Sequence, residues 1–412
     1  MLVEQTRPAR DLARAPIPWR AVMLLSLAAF ASAASIRVAD PLLPAIGGEF
    51  GVTTGVAANV VIAFSITYGM FQLVGGVIGD RFGKFRTATV ATLLSGFGAL
   101  LCVYAVSIDA LTLARLASGA TAAAIMPMAL AWIGDAVDFE QRQNVLARFL
   151  PGQILGVVFG QAIGGVLGEF MGWRSVFLVI ACLQFAVGAV MLVELWLRRK
   201  SEAKASTDRL GPVALFKRMG GLLRDRWVRT VLAAVFVEGF AVFGAMAFLA
   251  SYLQLEFDLN VGSAGLVVAV FGLGGLIFSV SSQRLLDWMG PAGLARRGGL
   301  VLSIAFGVFS ALPTIWLAPV LSVAMGLGFY MLHNTLQVSA TQMAPEARGT
   351  AVAIYASSLF FGQTAGVAVA AVVFDRWGAA PIFMASSLIL PVLASWFAAQ
   401  LGRNADRQAA TP

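Results

Sequence analysis

Few residues of this chain could move a proton or hold a charge away from water, and their spacing sets them apart. Glu238 stands nine residues beyond Arg229 in an apolar run, about 13 Å along a helix and so near the middle of that run. Carboxylates removed from water hold protons more readily. This acid therefore suits one of three tasks: taking up and releasing a proton, receiving a cationic ligand, or resting hydrogen-bonded between helices. Arg115, within Leu111-Thr112-Leu113-Ala114-Arg115, also lies inside an apolar run, in its outer half, where an arginine needs a partner. Arg37 and Asp40 lie three apart on one helical face and can pair; the following Pro41-Leu42-Leu43-Pro44 is expected to end the helix. By depth Asp40 is the nearest candidate partner for Arg115, and otherwise a charge at the rim. His333, the one histidine, has Asn334 beside it and Gln337 a turn further on, a polar face suited to line a cavity. Histidine titrates near neutral pH, although a lone histidine equally serves as a hydrogen-bonded packing residue. Phe64, Tyr68, Gln153 and Tyr355 are further candidates for the same cavity or for packing.

No nucleophile is placed beside a base, no loop is built to bind phosphate, and a single histidine excludes most triad and zinc arrangements. Neither an enzyme, a metal centre nor an organic cofactor is expected. Composition points elsewhere: 59% of residues are hydrophobic, 12% are charged and the mean hydropathy is +0.84, more than a water-soluble protein could cover. Apolar runs of about 20 residues, the length that crosses a ~30 Å hydrocarbon layer as helix, begin near Trp19, Gly55, Thr87, Ala110, Asn144, Trp173, Val228, Gly262, Gly298, Leu317, Gly349 and Ala379. None alternates in the manner of barrel strands. The expected fold is an all-α polytopic membrane protein with twelve transmembrane helices in two six-helix bundles.

Basic residues orient the chain, because cytoplasmic loops retain Lys and Arg. An N-terminus inside places 25 of the 29 in the cytoplasm, with Arg174 and Arg376 outside and Arg37 and Arg115 within spans. The formal charge of +8 is thus a matter of topology and of anionic lipid at the inner surface, not of nucleic acid. The reading is a multi-pass protein of the inner (plasma) membrane with both termini cytoplasmic, working as a monomer. Cys102 and Cys182 fall within spans and imply no disulfide. Cleavage after Ala31-Ser32-Ala33 would delete the first span, so no signal peptide is assigned.

The organisation divides into a cytoplasmic tail (1–18), a first six-helix bundle (19–197), a basic linker (198–227), a second bundle (228–401) and a second tail (402–412). The polar stretch 198–229 carries ten Lys or Arg against three acids, and Val213 to Arg224 mixes apolar and basic residues in a way that suits either an interfacial helix or a solvated linker. A shift of 206 residues superposes Glu140, Arg142, Gly156, Gly160, Gly172 and Phe177 on Glu346, Arg348, Gly362, Gly366, Gly378 and Phe383, and one residue more places Asp80 and Gly83 on Asp287 and Gly290. The halves read as a duplicated unit. In the fifth span Gly152, Gly156, Gly160, Gly164 and Gly168 recur every fourth residue, a side-chain-free stripe for close helix packing.

Between the second and third spans lies Gly76-Val77-Ile78-Gly79-Asp80-Arg81-Phe82-Gly83-Lys84-Phe85-Arg86. It resembles the G-x-x-x-D-R-x-G-[RK]-x-[RK] signature of major facilitator superfamily transporters. Gly160-Gln161-Ala162-Ile163-Gly164-Gly165 is similar to the G-P-x-x-G-G signature of that superfamily's antiporters, with Gln161 in place of the proline, which weakens the antiport inference. Arg115 with Gly119 resembles the fourth-span R-x-x-x-G element of twelve-span drug:proton antiporters, and Asp40-Pro41-Leu42-Leu43-Pro44 the close of their first span.

The resemblance implies two parallel six-helix bundles, a substrate site near the midplane where the bundles face one another, and an Asp80 that contacts the start of the eleventh span, near Gly349, to hold an inner gate closed. It links Arg115 to proton coupling. The function it implies is proton-coupled efflux of a small, amphipathic or lipophilic molecule by alternating access. An uptake symporter or uniporter on the same fold, or a non-transporting membrane receptor, is the alternative.

Overall fold

The structure is a computed structural model and describes residues 17–197 and 212–409. Among them every regular element is helical. Helix α1 (Trp19–Arg37), a 3₁₀ turn (Asp40–Leu42) and α2 (Leu43–Phe50) make the first crossing. Short α3 (Thr54–Ala57) leads into α4 (Asn59–Phe82), and α5 (Lys84–Val103), α6 (Ile108–Ala122) and α7 (Ile125–Ala136) follow. The long α8 (Phe139–Leu197) closes the first half, and α9 (Pro212–Leu222) lies in the linker. In the second half α10 (Arg226–Glu238) passes through a π-helical turn (Gly239–Phe243) into α11 (Gly244–Phe257). The rest comprises α12 (Val261–Ala269), α13 (Phe271–Phe309), α14 (Ala318–Gln342), α15 (Arg348–Trp377) and α16 (Ala380–Ala409).

Among the described residues, ten helical stretches are long and apolar enough to cross a bilayer. Two of them, Asn144–Leu197 with 54 residues and Val261–Phe309 with 49, would run beyond 70 Å if straight, more than twice the hydrocarbon thickness. Each instead leaves helical geometry at one glycine with positive φ, Gly172 (76°) or Gly290 (66°). Both therefore fold into two membrane-length legs, and the described residues supply twelve such legs. The repeat extends to the backbone: Gly172 and its counterpart Gly378 share φ 76°, and Gly83 and Gly290 both lie at positive φ.

In the first crossing the α-helix ends before Pro41, as expected, and the chain then continues as new helical segments. The α-helix stops at Arg37, and both prolines then sit in the first turns of the 3₁₀ segment and of α2, where a missing N–H leaves nothing unpaired. Pro41 ends α1 by lacking the N–H that would bond the Arg37 carbonyl, and the two prolines also start the segments that follow. Residues 1–16 of the expected tail (1–18) and residues 198–211 of the linker lie outside the described residues, and α16 continues to Ala409, into the segment assigned to the second tail.

The glycine stripe of α8 lies on α1. A Cβ on Gly156, Gly160 or Gly164 would strike the carbonyl oxygens of Phe30, Ala34 and Val38, while Gly152 faces Ser26 and Gly168 faces Leu42. Both helices thus advance in steps of four. The second half repeats the contact, with Gly362 and Gly366 of α15 against the carbonyls of Phe236 and Phe240.

The halves meet most closely at the end far from Asp80. There Gly165 of α8 touches Gly265 of α12 backbone to backbone, and one apolar cluster draws on both halves, from Val38, Val61 and Trp173 to Val242, Phe248 and Val367. Toward Asp80 the packing belongs to the first half, around Phe85, Met128, Ile133 and Phe149, with Phe360 reaching it from the second.

Candidate functional site

Glu238 ends α10 where the π-helical turn begins, a local widening of the helix that is frequent at functional positions. It is fully buried. One carboxylate oxygen, Oε2, lies 2.7 Å from His333 Nδ1, and the other, Oε1, has no hydrogen-bond partner among the described residues. His333 is held on both sides: its ring stacks on Phe329 at 4.8 Å, and the Tyr355 hydroxyl lies 3.4 Å from both Nδ1 and the His333 carbonyl oxygen. The His333 side chain keeps 14% exposure where that of Glu238 has none. Of the two groups, only the imidazole is partly exposed. Of the neighbours expected on the same face, Asn334 is half-buried and Gln337 exposed.

A second polar system crosses between the halves. Asp40 Oδ2 accepts hydrogen bonds from Arg37 Nη1 and Gln161 Nε2, both at 3.1 Å. Arg37 Nη2 donates to Gln363 Oε1 at 3.2 Å, and Gln363 Nε2 donates to Ser65 Oγ at 2.7 Å. Gln363 belongs to α15, so a side chain of the second half is inserted between two residues of the first. The Arg37 guanidinium also lies 4.3 Å from the Phe243 ring, at the end of the π-helical turn. Asp40 is fully buried, which excludes a rim charge: the 3₁₀ turn after Arg37 folds it inward toward α8. Gln161, which stands in the place of a motif proline, supplies one of its hydrogen bonds.

Arg115 is not the partner of Asp40. Its Nε donates to the Val60 carbonyl at 3.2 Å and its Nη2 to the Ser35 carbonyl at 3.0 Å, and the guanidinium lies 4.1 Å from the Phe64 ring and 5.7 Å from Phe177. Asp40 is in electrostatic range of it, but its hydrogen bonds go to Arg37 and Gln161. Depth along the helix axis matched the two charges, while their rotation about the axes sent one toward α8 and the other onto backbone. Phe64 therefore packs under Arg115, Tyr68 reaches across to Phe360 at 4.4 Å, and Gln153 is half-buried.

At the Asp80 end, Gly83 at φ 91° makes the turn between α4 and α5, and Gly79 admits Met128, while Gly76 faces open space. Lys84 pairs with Asp135 and stands 4.0 Å from Asp80; Arg81 leans on Phe82, and Arg86 is exposed. Asp80 does not touch the start of α15. It shares a cavity of about 370 Å³ with Arg348, Gly349 and Thr350, closed on another side by Leu215 and Arg218 of α9. The expected contact is absent because the halves stand apart at this end.

Gln363, Ser65, Gln184, which donates to Ser35 Oγ at 3.0 Å, and Phe243 were not among the expected site residues. Three are uncharged polar residues in apolar runs, a signal of the same kind as a charge but weaker.

Two repeated six-crossing halves, with buried ionisable groups along their interface and a cavity at one end of it, define a membrane transporter. The Major Facilitator Superfamily model matches residues 25–367, and the chain belongs to that superfamily. It is 25% identical over 360 residues to an uncharacterized MFS-type transporter, YceJ, of Bacillus subtilis, spanning 85% of this chain and 89% of that one. It is 26% identical to the lincomycin resistance protein of Streptomyces lincolnensis, spanning 89% and 86%. Among solved structures the nucleoside transporter NupG superposes with a TM-score of 0.71 at 13% identity over 93% of this chain and 98% of that one, a likeness of fold. The protein is a multi-pass membrane transporter of a small molecule, and not an enzyme.

Proposed function

We propose that this transporter exports a small amphipathic or lipophilic molecule in exchange for protons, and that Glu238 with His333 is the coupling pair. One observation carries the reading: a fully buried acid is hydrogen-bonded to the one histidine, and that histidine alone of the two is partly exposed. A carboxyl and an imidazole in contact can hold none, one or two protons between them, so a proton arriving at the exposed ring can be handed to the acid. Each charge carried across 100 mV is worth about 2.3 kcal/mol, which biases the substrate-free return of the empty carrier. Arg37, Asp40 and Gln363 would transmit the change, because they join the halves next to Phe243 and the turn that Glu238 begins.

The lincomycin resistance relative supports export. The excess of basic residues supports placing the Asp80 end and both termini in the cytoplasm, with the protein in the inner membrane and active as a monomer. Uptake is the second reading, favoured by Gln161: the proline of the antiport signature is replaced by a residue that holds Asp40. The test uses liposomes carrying the reconstituted chain, an imposed pH gradient, and lincomycin or a nucleoside as the first probes. Parent protein should drive a probe against the proton flow, and Glu238→Gln should abolish gradient-driven flux while retaining counterflow. Flux of probe along with protons would establish uptake, and undiminished gradient-driven flux in Glu238→Gln would remove the coupling assignment.

A further inference from the structure

At the end far from Asp80, each half extends one carboxylate to the beginning of a helix in the other. Asp375, near the end of α15, accepts from the backbone N–H of Gly55 at 2.8 Å and from the Thr53 hydroxyl at 2.5 Å, at the start of α3. Glu169, near the end of the first leg of α8, accepts from the backbone N–H of Gly262 at 2.9 Å, at the start of α12. The two contacts are images of one another. Glu169 and Asp375 are separated by the same 206 residues that relate the halves, Gly55 and Gly262 by 207, and the helix-capping residues Thr53 and Asn260 by 207 as well. Both glycines are required by the contact, since a Cβ at either would collide with the carboxylate.

We infer that Asp375 and Glu169 are paired gate residues that hold this end of the transporter shut, each acting as a helix cap supplied from across the interface. The first N–H groups of a helix lack intrahelical acceptors and carry the positive end of its dipole, so a carboxylate there satisfies both. When the halves rock apart, Gly55 and Gly262 lose these acceptors and the carboxylates return to water. The pair is unequal: Asp375 receives two hydrogen bonds and Glu169 one. Opening at this end is therefore resisted more strongly on the α4–α15 side than on the α8–α12 side. The inference needs only that the halves rock, and stands apart from the proton reading.

The test is a distance measurement on the full chain in liposomes, with no substrate required. Spin labels are placed on Tyr104→Cys and Trp316→Cys, exposed positions of opposite halves at this end, in a Cys182→Ser background. Asp375→Ala should raise the open-to-closed ratio about tenfold, Glu169→Ala about threefold and the double variant about thirtyfold, the scale of helix-cap losses acting independently. Asp375→Asn, which keeps an acceptor for Gly55 N–H, should recover part of the closed population. Gly55→Ala and Gly262→Ala reach the same contacts from the helix side and should open the same end if a carboxylate variant fails to fold. Unchanged distance distributions in the folded double variant would overturn the inference, as would opening by Asp375→Ala that Asp375→Asn recovers in no degree.

Discussion

Arg115 shows how a buried charge is accommodated without a counter-charge. Two backbone carbonyls and the face of Phe64 take the place that a carboxylate was expected to fill. The planar fork of an arginine reaches both carbonyls at once, which a lysine ammonium on a flexible stem does not. Arg115→Lys should therefore lose one charge-assisted hydrogen bond, roughly 1.5 to 3 kcal/mol, and melt several degrees lower in detergent. Arg115→Ala should melt lower still, and Phe64→Leu should weaken the same site through loss of the ring face. An Arg115→Lys melting curve superposable on the parent would show that the fork geometry contributes nothing.

The pairing of α8 with α1 is an element-scale property, because its partner surface is backbone. Gly160 and Gly164 approach carbonyls of Ala34 and Val38 that cannot turn aside, whereas Gly48 and Gly134 meet nothing within 4 Å. Gly160→Val should therefore sharply reduce the monodisperse fraction in size-exclusion chromatography, with Gly134→Ala as a near-silent control. Equal yields would show that the helices can slide apart at little cost. The stripe was fully legible in the sequence, since a four-residue glycine period admits few other readings. Its partner was not: the first crossing offers only Ser26, Phe30, Ala34, Val38 and Leu42, a series that looks like ordinary membrane helix until both helices are placed.

For the whole molecule, the two halves are joined at the Glu169 and Asp375 contacts and parted around Asp80. Ala353 lines the cavity at the parted end. Ala353→Cys should react quickly with a membrane-impermeant maleimide added from the Asp80 face, and Tyr104→Cys only from the opposite face. Labelling of both from one face would contradict the proposed path of the chain. On the proposed reading the Asp80 contact with the start of α15 forms when this cavity closes, so labelling of Ala353→Cys should slow whenever Tyr104→Cys and Trp316→Cys separate.

The sequence by itself determined that the chain is helical, crosses the membrane twelve times, repeats at midpoint and carries charges inside its apolar runs. These follow from hydropathy, chain length and local spacing, which act over a few residues. Only the tertiary structure decided which charges meet. Glu238 finds His333 across 95 positions, Arg37 finds Gln363 across 326 and Asp40 finds Gln161 across 121. Depth in the membrane can be counted from a sequence, but facing cannot: each residue turns a helix by roughly 100°, so the rotation of every helix about its axis, set by packing along the glycine stripe and at the π-helical turn, selects the partner. Asp40 and Arg115 matched in depth and differed in rotation, and that difference made one of them part of the bridge between the halves.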